Sequence, residues 1–308
     1  MLYLILAILS SALVSIVMRV SGKFSRNGMT MLAANYVMCT VLAAVLAGGV
    51  LPAGEGAGLT IGLGSVCGVL YLLGFVLLQW NIRRNGVVLP ATFQKLGVLV
   101  PTIAAITIFG EEPAGAQLAG IALAVCAILV MQGKSEGGMQ GRSTLGLLAL
   151  LLCGGCSDVM SKVFKAWGNP AQENYFLVFT FLVALVLCAA LCVTKRQRVT
   201  WQDVLCGFVL GVPNYMSARF LIRSLDDVAA VVVYPTFSVG TIIVVTLVGV
   251  LVFREKLNVR RGVALGLILT SLALMNLPEE EPKNETADTG RERIVEQESG
   301  GAGADAGA

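Results

Sequence analysis

Four charged residues stand inside, or near the ends of, long apolar stretches: Lys95, Asp158, Lys162 and Arg219. A charge left in hydrocarbon costs on the order of 2.5–3.5 kcal/mol even on a lenient insertion scale, so the four facing lipid would cost roughly 10 kcal/mol or more. They are therefore expected to face a protein interior. Asp158 and Lys162 are four residues apart on one helix face and can pair directly, with snorkelling of Lys162 to the interface as the alternative. This pair is the candidate proton or cation coupling site. Lys95 and Arg219 lie deeper and have no acidic neighbour in sequence. They are read as lining a polar cavity that accepts an anionic or zwitterionic group.

Other polar groups cluster in the same stretches. Asn214, Tyr215 and Arg219 follow Pro213 within two turns; Gln94 and Lys95 lie between Pro90 and Pro101; Tyr234 precedes Pro235. Asn35 and Tyr36 make a similar polar point early in the chain, and Tyr71 is a further aromatic candidate. Proline inside a membrane helix frees a backbone carbonyl, which is tolerated where neighbours or a cavity re-satisfy it. Broken helices with clustered polar groups near mid-membrane are the sequence mark of a transporter site. Lys95, Arg219, Tyr71, Tyr215, Asn214, Gln94, Asn35, Tyr36 and Tyr234 are thus the candidate cavity residues, and the four prolines the candidate kinks.

The elements that must hold these residues follow from composition. The chain of 308 residues is 56% hydrophobic and 13% charged, against about 25% charge in a soluble domain. Its apolar residues come in blocks of about 18–25, the length a helix needs to cross a bilayer core. The blocks read at about 2–20, 29–49, 59–80, 86–109, 115–132, 144–165, 174–194, 201–224, 228–253 and 262–277. An all-α membrane protein with ten transmembrane helices is expected. From Glu279 the sequence turns acidic and Gly/Ala-rich, and residues 278–308 are expected to form a disordered tail.

Histidine is absent and the net charge is only +3, which removes the commonest general base and metal ligand and gives no basis for nucleic-acid binding. The eight cysteines all lie in apolar blocks, and Cys153-Gly-Gly-Cys156 has no second pair. They read as small packing residues. No nucleotide loop, zinc motif or nucleophile elbow is present. No enzyme activity, catalytic residue, metal or cofactor is expected.

The sequence also repeats. Leu6–Lys23 laid ungapped on Leu148–Lys165 matches at seven of eighteen positions, including Ser15/Ser157 and Lys23/Lys165. Tyr71–Met131 laid on Tyr215–Met275 gives twelve identities in 61 positions, among them Tyr71/Tyr215, Phe93/Phe237, Phe109/Phe253 and Glu111/Glu255. Both offsets report one duplication: residues 1–133 and 144–277, five helices each. An odd number makes the second copy enter the membrane from the opposite side, so the plan is two inverted five-helix repeats. Gly64-xxx-Gly68, Gly207-xxx-Gly211 and Gly262-xxx-Gly266 are small-residue patterns that allow close helix approach. Fourteen basic residues near alternate connectors, Arg19, Arg26, Arg84, Lys195 and Arg254 among them, face the cytoplasm by the positive-inside rule, which leaves both termini outside.

Phe109-Gly-Glu111 and Phe253-Arg-Glu255, closing the fourth and ninth helices, together with the repeat and ten spans, resemble the drug/metabolite transporter superfamily of EamA type. That family's pattern falls here on Pro90 or Pro101, Glu111 and Gly120, and again on Pro235, Glu255 and Ala264. The resemblance implies proton-coupled or exchange transport, often export, of a small metabolite or drug-like molecule through a central cavity. It also implies cytoplasmic termini, opposite to the charge count, and helix-end acids that cap rather than bind. The expected function is a secondary transporter of the bacterial inner (plasma) membrane, monomeric or homodimeric, whose partners are the bilayer, a small-molecule substrate and protons. A flippase for a lipid-linked molecule and a non-transporting membrane scaffold are the alternatives.

Overall fold

The computed structural model describes residues 1–275 apart from Lys23, 50–51, 53, 86–87, 133–143 and 255–258. The expected tail and Glu255 lie outside the described residues, as do the side chains of Arg83, Arg260 and Arg261.

Among the described residues every regular element is helical. The order is α1 (Leu2–Ser21), α2 (Gly28–Ala47), α3 (Ala57–Asn85), α4 (Val88–Leu96), α5 (Leu99–Thr107), α6 (Gly115–Gln132), α7 (Thr144–Trp167), α8 (Glu173–Thr194), α9 (Trp201–Asp227), α10 (Ala230–Leu251) and α11 (Val259–Met275). Seven of these, α1, α2, α3, α7, α8, α9 and α10, are long and apolar enough to cross a membrane. Their large apolar side chains point outward in numbers no water-facing surface carries: Leu2, Ile5, Leu9 and Leu13 on α1 are each about half exposed or more. The chain is a helical membrane protein.

The fourth apolar block is not one helix. It divides into α4 and α5 at Gly97 and Val98. Pro101 accounts for this: its missing N–H lies four residues beyond the Gly97 carbonyl, and its ring crowds that carbonyl. Val100 N–H bonds the Gly97 carbonyl instead, at 3.0 Å, in a tighter turn. Pro90 sits in the first turn of α4, where a missing N–H has no helical partner to lose, so it makes no kink. Pro213 and Pro235 lie inside α9 and α10, and both helices continue through them.

Packing is close and selective. α2 lies against α8 and α9, α3 against α8 and α7, α1 against α9 and α10, α7 against α4 and α5, α5 against α10, and α6 against α11. Glycines set the tightest crossings. A Cβ on Gly64 would stand 2.7 Å from the Phe176 carbonyl oxygen of α8, and one on Gly68 would strike the Thr180 carbonyl. Gly207 and Gly211 of α9 meet α2 in the same way, at Met31 and at the Asn35 carbonyl oxygen. Gly262 and Gly266 of α11 face open space, so the third small-residue pattern packs against nothing within the described residues.

The two ends of the bundle differ in charge. At one end the α1–α2 connector meets the start of α9: Asp203 accepts hydrogen bonds from Ser25 Oγ (2.8 Å), Arg26 N (2.8 Å), Asn27 N (3.2 Å), Thr30 Oγ1 (3.2 Å) and Thr200 Oγ1. Arg19 of the same end stacks on Phe253, with its guanidinium carbon 4.2 Å from the ring centroid. At the other end the Met1 ammonium meets Asp227 at 3.5 Å, and Glu173 holds Lys165 at 3.2 Å and Arg223 at 3.1 Å. Basic side chains crowd the Asp203 end and carboxylates the Met1 end.

Candidate functional site

A cavity of about 470 Å³ opens between α1, α2, α3, α4, α7, α9 and α10. Its size suits a small solute. Of the residues singled out by sequence, Gln94, Lys95, Tyr71 and Asp158 line it, as do Asn35, Tyr36, Asn214 and Tyr234.

Lys95 and Asp158 come together because two glycines let their helices touch. Gly97 of the α4–α5 turn and Gly155 of α7 face each other, and a Cβ on Gly155 would stand 2.6 Å from the Gly97 carbonyl oxygen. Lys95 is two residues before the first glycine and Asp158 three after the second. Asp158 lies nine residues before the end of α7 at Trp167, or about 14 Å at 1.5 Å per residue, which is near mid-membrane. The two charges sense each other electrostatically. Neither side chain forms a hydrogen bond or an ion pair within 4.0 Å among the described residues.

Around these charges the wall is a mixture of fixed polar groups and aromatic faces. Tyr234 Oη donates to the Asp158 backbone carbonyl at 2.8 Å, tying α10 to α7. Asn214 Nδ2 donates to Asn35 Oδ1 at 3.2 Å, joining α9 to α2. Asn35 is 1% exposed, and its Nδ2 has no partner among the described residues. Tyr36 and Tyr71 are held by Phe181, with ring centroids 6.4 and 5.9 Å away.

Three expectations are corrected. Lys162 does not pair with Asp158; its ammonium meets Glu111 Oε1 at 2.6 Å and lies 5.3 Å from the Phe109 ring centroid. Neither Arg219 nor Tyr215 lines the cavity: Arg219 donates to Tyr215 Oη at 3.1 Å, one turn back along α9, and the Tyr215 ring is fully buried near Phe181. Arg219 is engaged along its own helix and stands outside the lining, so depth in the sequence did not make it a cavity cation.

Residues that sequence reasoning passed over include Ser15 and Ser157, Phe75 and Phe237, and Ser238, all in the lining. Ser15 and Ser157 were already marked by the self-match of the first and sixth blocks, and Phe237 by that of the fourth and ninth. Glu111, which the resemblance marked as a helix-end acid that caps rather than binds, accepts from Ala230 N (3.1 Å) and Val231 N (2.8 Å), the first two amides of α10. A carboxylate there satisfies orphan donors and complements the helix dipole. Burial opposes its charge, but Lys162 and the two amides outweigh burial and hold the Glu111 carboxyl below the usual range.

The cavity spans the middle of the bundle. Its lining runs from the second half of α1 (Val14–Met18) and the first half of α2 (Leu32–Tyr36), on the Asp203 side, to Asp158 in the second half of α7 and Tyr234–Ser238 in the first half of α10, on the Met1 side. Nearer the Met1 end the Phe164 and Phe176 rings stack, 4.6 Å between centroids, and the Glu111–Lys162 and Lys165–Glu173 ion pairs tie neighbouring segments together.

No protein-family model matches the chain. It is similar to an uncharacterized protein of Haemophilus influenzae, 26% identical over 198 residues that make up 62% of this chain and 67% of that one. A solved protein described only as a crystal structure of a protein shares its fold, with a TM-score of 0.71 and 16% identity over 90% of this chain and 97% of that chain. At that identity the likeness is one of fold.

Proposed function

We propose that this protein is a secondary transporter that moves a small metabolite across the membrane by alternating access, driven by protons or by exchange. The observation that carries the reading is the Lys95–Asp158 pair: two charges in the interior of a lipid-embedded bundle, lining a solute-sized cavity, without direct partners among the described residues. Buried charges that serve only the fold are paired, because each costs several kcal/mol otherwise. Charges left open in a cavity are suited to a ligand.

The architecture that would move is ten spans in two inverted repeats, the first running through α6 and the second from α7 to α11. On this reading α4 and α5 are halves of one broken span. Its support is an exchange symmetry in the packing. α1, α2, α3, α4–α5 and α6 correspond to α7, α8, α9, α10 and α11, and swapping the halves maps α2·α9 onto α3·α8, α1·α9 onto α3·α7, and α1·α10 onto α7 with α4 and α5. Gly64 and Gly68 map onto Gly207 and Gly211, each pair against the second helix of the other half. The resemblance to EamA-type drug/metabolite transporters is part of the same proposal.

Purified protein in liposomes tests the reading. Preloaded with amino acids, amines or nucleosides, the vesicles are expected to exchange at least one class above protein-free controls. Binding with no flux under any gradient would instead favour a scaffold.

A further inference from the structure

Given the transport reading, the geometry points to a small zwitterion with an apolar body as the solute, its carboxylate on Lys95 and its ammonium on Asp158. The cavity offers one cation and one anion, from different helices, and neither is engaged by a hydrogen bond or ion pair among the described residues. An anionic ligand would pair with Lys95 and leave Asp158 repelling it from across the same space. A cationic ligand would do the reverse with Lys95. A ligand carrying both charges satisfies both groups and keeps the site neutral overall, which is the arrangement a low-dielectric interior favours.

The remaining lining is consistent with the two ends of such a molecule. Asn35 Nδ2 is a buried donor without a partner among the described residues, while its Oδ1 is taken by Asn214. The spare capacity is thus for an acceptor oxygen, as a carboxylate supplies. Val14, Leu32, Leu70, Phe75 and Phe237 give the rest of the wall an apolar surface. The two charges also fall outside the repeat's identities: Lys95 corresponds to Val239 and Asp158 to Ile16 under the self-match offsets. Each half contributes one charge the other lacks, so the two poles of a dipolar ligand are read by different repeats.

A charge series on fixed scaffolds tests this in detergent, apart from flux. The probes are L-leucine and L-phenylalanine, the amines left by removing their carboxylates, and the acids left by removing their amino groups. Titration calorimetry of the full chain is expected to show at least one of the two amino acids binding tenfold or more tighter than its own amine and acid. Lys95→Gln should bring amino acid and amine to equal affinity, and Asp158→Asn should do so for amino acid and acid. Equal binding of all three species, preference for the amine or acid, or binding of none would overturn the inference. The wild-type series stands by itself if a variant fails to fold. Flux of amines or acids alone would sink the inference and leave the transporter reading; amino-acid binding without flux would do the opposite.

Discussion

Replacing Asp203 by alanine is expected to destabilise the protein by about 3–5 kcal/mol, read as a fall of roughly 5–10 °C in the midpoint of thermal unfolding in detergent. The side chain is fully buried and collects two backbone amides and three hydroxyls. Removing it strands the Arg26 and Asn27 donors in a site that water reaches poorly. The loss falls on the connector between α1 and α2 and frees it from the start of α9. Asp203→Asn, which keeps one acceptor oxygen and the side-chain shape, should lose less. An unchanged midpoint for Asp203→Ala would mean the cluster is solvated and does not fasten that end.

The largest effect on activity is expected from Asp158→Asn. Asparagine fits the same space and cannot take up or release a proton. Solute accumulation driven by a pH gradient in liposomes should fall at least tenfold, while exchange at saturating solute persists. Asp158 is the sole carboxylate among the described cavity-lining residues, so no described neighbour in the lining can take over. Unchanged gradient-driven uptake at saturating solute would remove it from the coupling step and leave Lys95 and Asp158 a solute-binding pair alone.

How much of this was readable beforehand depends on whether the deciding interaction was local. The placing of Lys95 and Asp158 in the bundle interior, away from lipid, follows from the cost of charge in hydrocarbon, which one sequence suffices to apply. Lys162 misled because the nearest acid in sequence, Asp158, was four residues away on the same face. Its actual partner, Glu111, is 51 residues distant and arrives through the start of α10. Arg219 misled in the opposite sense: no acid was near, but a neutral acceptor, Tyr215, stood one turn back. Asp203 left a signal that went unread, since Thr200-x-x-Asp203 is the spacing of a helix-capping pair, and Thr200 does cap α9.

The helices themselves were legible as lengths, and the exceptions have particular causes. The block at 86–109 became α4 and α5, nine residues each, because Pro101 cannot donate to the carbonyl of Gly97. α11 has 17 residues, at the short limit for a span. Seven long apolar helices are thus what the fold displays directly, and the count of ten rests on joining α4 to α5 and admitting α6 and α11 as spans. The pairing of Gly64 and Gly68 with α8, and of Gly207 and Gly211 with α2, was invisible in the pattern of small residues alone. The third such pattern, at Gly262 and Gly266, looks the same in sequence and meets nothing.

Under the proposed alternating access, the cavity opens in turn to the two sides of the membrane. Ser15 lines it on α1, and serine to cysteine is a near-isosteric change. In a chain whose eight native cysteines are replaced, Ser15→Cys should react with a small membrane-impermeant thiol reagent from either face of oriented vesicles, and reversing the proton gradient should shift the balance between faces. Labelling from one face only, whatever the gradient or solute, would contradict the account.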